Sequence, residues 1–116
     1  MKRGLVLAVV LLLAGLAATA YAAKDKGEVG RLLLGKVLDQ SDNPLPGAIV
    51  YLSNTRTQTV KTYIVSQDGS YRFPALSPNV DYEVYAQHKG RKSDTKTLSQ
   101  FDNRQQVNIN LKIDTR

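Results

Sequence analysis

The chain contains no cysteine and no tryptophan, and one histidine, His88, among its 116 residues. The missing thiols exclude a disulfide framework, a thiolate metal site, a cysteine nucleophile and a lipid-anchored N-terminal cysteine. No G-x-S-x-G stretch is present, and no serine has neighbours that would activate it. Nothing resembles a D-x-D-x-D calcium loop. No segment sustains a 3.6-residue hydrophobic period, so helices are not expected beyond the N-terminus. These absences predict a chain that is not an enzyme, with no cofactor and no metal, held together by its apolar core alone. A domain of about 90 residues can do this, burying somewhat over 60% of its unfolded surface.

What is present begins with a tripartite N-terminus. Lys2-Arg3 is a short basic region, Leu5 to Leu16 is almost unbroken apolar sequence, and Ala20-Tyr21-Ala22 supplies the small residues of a cleavage site. Residues 1–22 are expected to be a signal peptide. The alternative is an uncleaved anchor, since the apolar run from Gly4 to Ala23 is long enough to span a bilayer. Only then would the membrane be a partner. Loss of Lys2 and Arg3 lowers the net charge from +6 to +4. Nucleic acid is not expected as a partner of an exported chain. A periplasmic or secreted location instead points to an unknown protein or an envelope polysaccharide. Residues 23–30, AKDKGEVG, read as a flexible leader, and residues 31–116 as one domain.

Seven runs rich in β-branched and aromatic residues follow, separated by turn formers. The first is Arg31–Asp39, with Leu32 and Leu34 inward and Val37 a further inward candidate. Its Gly35 marks a bulge or a close approach. The loop QSDNPLPG is stiffened by Pro44 and Pro46 and relaxed by Gly47. The second run is Ala48–Ser53, with Ala48, Val50 and Leu52 on one face and Ile49 and Tyr51 on the other. The third, Thr59–Ser66, has no readable face because Tyr63, Ile64 and Val65 are consecutive. Asp68-Gly69 is a tight-turn pair, expected to close a hairpin to the fourth run, Ser70–Ala75, with Tyr71 and Phe73 inward. The fifth is Asp81–His88, with Tyr82, Val84 and Ala86 inward. A hairpin around Gly90 leads to the sixth, Lys92–Leu98, whose charge suits a sheet edge. The seventh, Gln106–Ile113, alternates Val107, Ile109, Leu111 and Ile113 with polar residues. Seven short strands and no helix predict an all-β, seven-stranded antiparallel Ig-like or transthyretin-like sandwich.

The stretches GKVLDQSDNPLPGAIVYLSN and SQDGSYRFPALSPNVDYEVYAQHKGRKS resemble the carboxypeptidase regulatory-like domain family, of transthyretin-like or starch-binding-like fold. The pattern is carried by Gly35-x-Val37, Pro44-Leu45-Pro46-Gly47-Ala48, Asp68-Gly69 with Tyr71 and Phe73, and Leu76 with Tyr82 and Val84. The tail is similar to a small exported bacterial subgroup in which the domain makes up the mature protein. The family often has Pro-Gly-x-Tyr before the fifth strand, where this chain has Ser77-Pro78-Asn79-Val80-Asp81-Tyr82. Asn79 is expected to take the left-handed conformation there. The resemblance implies a module that binds or scaffolds. An enzyme family of this fold opens purine-derived rings, but it needs several histidines and a C-terminal motif that this chain lacks.

Candidate contact residues follow from these readings. Pro44, Pro46, Gly47, Asp68 and Gly69 are expected to be structural turn residues. Tyr51, Tyr63 and Tyr85 lie opposite the inferred core sets and are candidates to stack on sugar rings. His88 and Arg91 sit at the Gly90 hairpin, beside the Asp39–Asp42 and Asp68 loops. The leading expectation is protein–protein contact in the cell envelope, through a sheet edge or this loop end. The alternative is carbohydrate binding by the outward tyrosines.

Overall fold

The computed structural model describes residues 30–116; the expected signal peptide and nearly all of the leader lie outside them. Nine strand segments pack as two sheets: β1 (Arg31–Asp39), β2 (Ile49–Asn54), β3 (Val60–Ile64), β4 (Ser70–Leu76), β5 (Tyr82–His88), β6 (Arg91–Lys92), β7 (Lys96–Leu98), β8 (Gln106–Asn108) and β9 (Leu111–Ile113). One sheet has the order β4-β1-β8, with β9 continuing beside β1; the other runs β3-β2-β5, with β6 and β7 both on the outer side of β5. The all-β sandwich is thus as the alternation required. The nine segments are the seven expected runs, the sixth broken at Ser93–Thr95 and the seventh at Ile109–Asn110.

The core lies between the sheets. Val50, Leu52, Val84 and Ala86 meet Leu33, Val37, Tyr71, Phe73, Val107, Leu111 and Ile113, all buried. In β2, β4 and β5 the inward residues are those that the alternation picked out. In β1 the inward face is instead Arg31, Leu33, Gly35 and Val37, with Leu32 and Leu34 only partly covered. Gly35 fixes this parity by close approach and not by a bulge. A Cβ there would lie 1.9 Å from the Ile109 carbonyl oxygen and 3.0 Å from the Tyr71 ring. The register irregularity falls instead between Arg31 and Leu33, opposite the stretch of β4 where Pro74 lacks an amide and Ala75 takes a positive φ of 59°.

Three further expectations are corrected. Asp68-Gly69 does not close a hairpin: β3 pairs with β2, whereas β4 pairs with β1, so the turn carries the chain from one sheet to the other. The sandwich is not wholly antiparallel, because β8 and β9 both run parallel to β1. Asn79 is not among the residues of positive φ. In the turn before β5 the Tyr82 hydroxyl accepts the Ser77 amide at 2.9 Å. The Gly90 hairpin is as expected. Lys89 and Gly90 have φ of 49° and 79°, the two positive values of a type I′ turn, and His88 pairs with Arg91 across it.

Candidate functional site

The Asp68-Gly69 corner is built from three segments, the end of β1, the Pro44–Gly47 loop and the Val65–Ser70 stretch that contains it. Asp68 Oδ1 accepts the Ser66 hydroxyl at 2.5 Å, the Ser70 hydroxyl at 2.7 Å and the Ser70 amide at 3.1 Å. These donors hold its carboxyl well below the usual carboxylate range, the Ser66 hydroxyl most of all. Gly69 has φ +82°, and a Cβ on it would lie 2.7 Å from the Pro44 ring. Its carbonyl accepts the Val37 amide at 2.8 Å. Pro44 bridges to Leu38, and the Leu45 and Gly47 amides reach the carbonyls of Val37 and Val65. The Pro44–Gly47 loop and the Asp68-Gly69 corner therefore close one end of the sandwich against each other, and the Asp68 carboxylate is spent on the turn.

The other carboxylates with lowered pKa have the same explanation. Asp39 caps the amides of Ser41 and Asn43, and the Asn43 amide is the main cause of its lowered pKa. Asp102 is held at about 2 by the Arg104 side chain and Asp114 at about 2 by that of Arg116. Asp42 pairs with Lys112 at 2.7 Å. Among the described residues, no three His, Cys, Asp or Glu side chains converge as metal ligands would.

His88 and Arg91 do share a site. With Leu45, Lys89 and Thr115 they line an open cleft of about 360 Å³ at the corner's end of the sandwich. Arg91 donates to the Asp114 carbonyl at 3.3 Å.

The three candidate tyrosines separate. Tyr51 and Tyr85 are opposite each other on β2 and β5, on the outer face of the five-strand sheet. Their ring centroids are 4.9 Å apart and the rings lie within 15° of parallel. The Lys92 ammonium stands 4.4 Å from the Tyr85 centroid, a cation–π contact from the β6 side. Tyr85 therefore has tyrosine against one face and an ammonium against the other. Tyr63 lies elsewhere. It is half-buried on the inner side of β3, edge-on to Phe73 with centroids 6.0 Å apart. The outer face around the tyrosine pair is mixed: Thr62 lies opposite Tyr51, and Ser53, Glu83 and Gln87 share the face, while Ile49 lies opposite Ile64 at one end and Ile64 and Val60 are 72% and 56% exposed.

Arg31 escaped sequence reasoning. It is buried at 4% exposure, and its guanidinium donates to the carbonyls of Ser77, Val80, Ser99 and Asp102 at 2.8, 2.9, 2.8 and 3.2 Å. It binds the β4–β5 and β7–β8 loops to the start of β1, beside an open cleft of about 430 Å³. An arginine next to a charged leader gives no sequence signal of burial. Phe101, 87% exposed on the β7–β8 loop, was likewise unassigned.

The architecture defines a small two-sheet β-sandwich module, closed at one end by a Pro-Gly loop and open on the outer face of one sheet. A family model of the carboxypeptidase regulatory-like domain matches residues 33–113, and the chain belongs to that family. No curated protein matches the chain. Among solved structures, it is similar to BcpA, the major pilin subunit of Bacillus cereus, with TM-score 0.56 and 15% identity over 74% of this chain and 30% of that one. The group B streptococcus pilus 2b backbone protein gives TM-score 0.51 and 17% identity over 74% and 42%. The dioxygenase domain of a dioxygenase carbohydrate-binding protein fusion from Streptomyces sp. SirexAA-E gives 0.52 and 18% over 77% and 83%. At these identities the likeness is one of fold. The chain spans less than half the length of either pilus protein.

Proposed function

We propose that the chain is a non-catalytic, exported module that works by binding or scaffolding a protein in the cell envelope. The observation that carries this reading is the outer face of the five-strand sheet. Ile49, Ile64, Val60 and the Tyr51–Tyr85 pair lie together on this face among Ser53, Thr62, Glu83 and Gln87, an aliphatic and aromatic set within polar residues of the kind that protein contacts favour. The ionisable groups support the absence of catalysis. The carboxylates with lowered pKa are each engaged in a turn or held by an arginine two residues on. Tyr71, the one strongly shifted tyrosine among the described residues, is raised by burial and donates to the Ile109 carbonyl at 2.5 Å. Export rests on the composition of residues 1–22.

The carbohydrate reading has weaker support. A sugar platform offers ring faces to solvent, whereas Tyr51 and Tyr85 turn theirs toward each other and toward Lys92. The test compares two assays on one variant. Ile49→Lys puts a charge between Ile64 and the tyrosine pair, on the face turned away from the core. It should abolish capture of a specific envelope protein from extract, with the melting temperature unchanged. Reproducible binding to one polysaccharide class on a glycan array, lost in Tyr51→Ala/Tyr85→Ala, would replace this reading with the alternative.

A further inference from the structure

We propose that β3 is a self-association edge, through which two copies of this chain pair antiparallel about Thr62. This goes beyond the binding reading above and stands without it.

Among the described residues the sandwich has four free edges, and three are blunted. β4 contains Pro74 and the kink at Ala75. The β6–β7 edge is broken where the Ser93 hydroxyl takes the Ala86 amide at 2.9 Å and the chain leaves the ladder. The β8–β9 edge is broken at Ile109–Asn110, where the Asn110 side chain takes the Lys36 amide. β3 is an unbroken five-residue strand with no proline and no bulge in its register with β2. The sixth run does lie at a sheet edge, as its charge suggests, but the unbroken edge is β3, on the other side of the same sheet.

The direction of the free backbone groups follows from the ladder. Asn54 donates to the Thr59 carbonyl at 2.9 Å, and the Val65 amide donates to Ala48 at 2.8 Å. Antiparallel pairing alternates, so Lys61 and Tyr63 also face β2. The amides and carbonyls of Val60, Thr62 and Ile64 point outward.

The case for a second copy is that this edge is complementary to itself. A two-fold axis at Thr62 sets Thr62 opposite the partner's Thr62, and Val60 opposite the partner's Ile64. All three outward residues then fall in hydrogen-bonded pairs. The two exposed aliphatic side chains of the strand become cross-strand neighbours twice over, one contact on each side of the axis. Lys61 falls opposite the partner's Tyr63, so the one charge on the strand meets an aromatic ring and not its own copy. An isologous contact of this kind closes at two chains. It joins the two five-strand sheets into one continuous sheet and extends the apolar row from Ile49 across the seam.

The register yields a specific test. The full chain, with its N-terminus as the cell processes it, is run by sedimentation velocity up to about 1 mM, because a contact this small associates weakly. The native chain should shift from monomer to dimer. Val60→Lys and Ile64→Glu each put a charge opposite an aliphatic residue and should stay monomeric, with melting temperatures unchanged because both positions are exposed. Mixing the two variants should restore a dimer, since the lysine introduced in one chain then faces the glutamate introduced in the other. Thr62→Pro removes an outward amide and should also abolish the dimer. Thr95→Pro, at the broken β6–β7 edge, should leave it intact. A native chain that remains monomeric throughout overturns the proposal. So does a dimer that survives both charge variants, and so does a dimer lost only in Thr95→Pro, which returns the edge to the sixth run.

Discussion

Replacing Gly35 with alanine should be among the most damaging single-methyl changes this chain can undergo, although nothing about its φ demands glycine. The added Cβ would lie 1.9 Å from the Ile109 carbonyl oxygen and 2.7 Å from its carbon. Backbone has no rotamer with which to escape. The Ile109 carbonyl must therefore withdraw by about 1 Å or more to reach a normal contact. That carbonyl is the acceptor for the buried Tyr71 hydroxyl at 2.5 Å, and the Ile109 amide donates to Leu34 at 2.9 Å. Losing or stretching both bonds costs about 1 kcal/mol each, and forcing a methyl into packed space adds about 1–3 kcal/mol. The expected loss is about 3–5 kcal/mol, or about 15–30 °C in melting temperature for a domain of this size. Gly47→Ala is the control. Its φ is +84° but nothing lies within 4 Å of the added methyl, so it should cost only about 1–2 kcal/mol. Urea denaturation followed by circular dichroism gives both values. The double variant Gly35→Ala/Tyr71→Phe should lose less than the sum of its parts, because both changes break the same hydrogen bond. Should Gly35→Ala cost no more than Gly47→Ala, the close approach of β1 and the Ile109 kink would be wrong.

Acid should destabilise the fold through Asp68, Asp102 and Asp114. Each has a folded pKa below its ordinary value, so the stability they add is complete above about pH 4 and fades as pH falls toward 2 and below. Urea midpoints measured from about pH 6 to 2 should therefore fall, and less steeply in Asp68→Asn; an unchanged slope in that variant would remove Asp68 from the account. Arg31→Met strands four carbonyl acceptors and should cost several kcal/mol, about 1–3 kcal/mol for each acceptor left buried and unpaired, with Arg31→Lys recovering only part because an ammonium lacks the fork; equal stability of the two variants would refute the clamp. Lys89→Asn should raise stability by about 0.5 kcal/mol, since asparagine tolerates the positive φ at the first position of a type I′ turn better than lysine does; a lower melting temperature would contradict that turn. Mass spectrometry of the exported chain should find it starting at or near Ala23, and retention of Met1 would leave an anchored module instead.

The sandwich was legible because β2 and β5 alternate cleanly, as strands with one covered face must. β1 was not readable in the same way. Leu32-Leu33-Leu34 is apolar at both parities, so only a long-range contact can choose the face, and that contact is Gly35 against Ile109. The Asp68-Gly69 pair signalled a tight turn correctly. Its destination was hidden, because the same two residues serve a hairpin or a passage between sheets. What decides is the Val37 amide and the Pro44 ring, both far away in sequence. Alternation in the last run fixed which side chains are buried but says nothing about strand direction, which is why the parallel pairing was missed. The tyrosines show the same limit. Outward parity was right for Tyr51 and Tyr85, but whether rings show solvent their faces or only their edges depends on cross-strand neighbours. Tyr63, in a run with no readable parity, turned inward to Phe73.

The parallel course of β1 and β9 has a mechanical consequence. The chain enters the sandwich at the Gly30 pole and leaves it at the opposite pole, where Ile113 lies beside Asp39. Tension applied along the polypeptide draws these two strands past each other lengthwise. The bonds joining Val37–Asp39 to Leu111–Ile113 then carry the load side by side, and none can open ahead of its neighbours. A pull between Gly30 and Leu76 would instead peel β1 from the antiparallel β4 starting at Arg31, one rung at a time. Single-molecule pulling should therefore find a higher rupture force for the first geometry than for the second. The module should resist tension along its β1–β9 axis better than tension that peels β4 from β1.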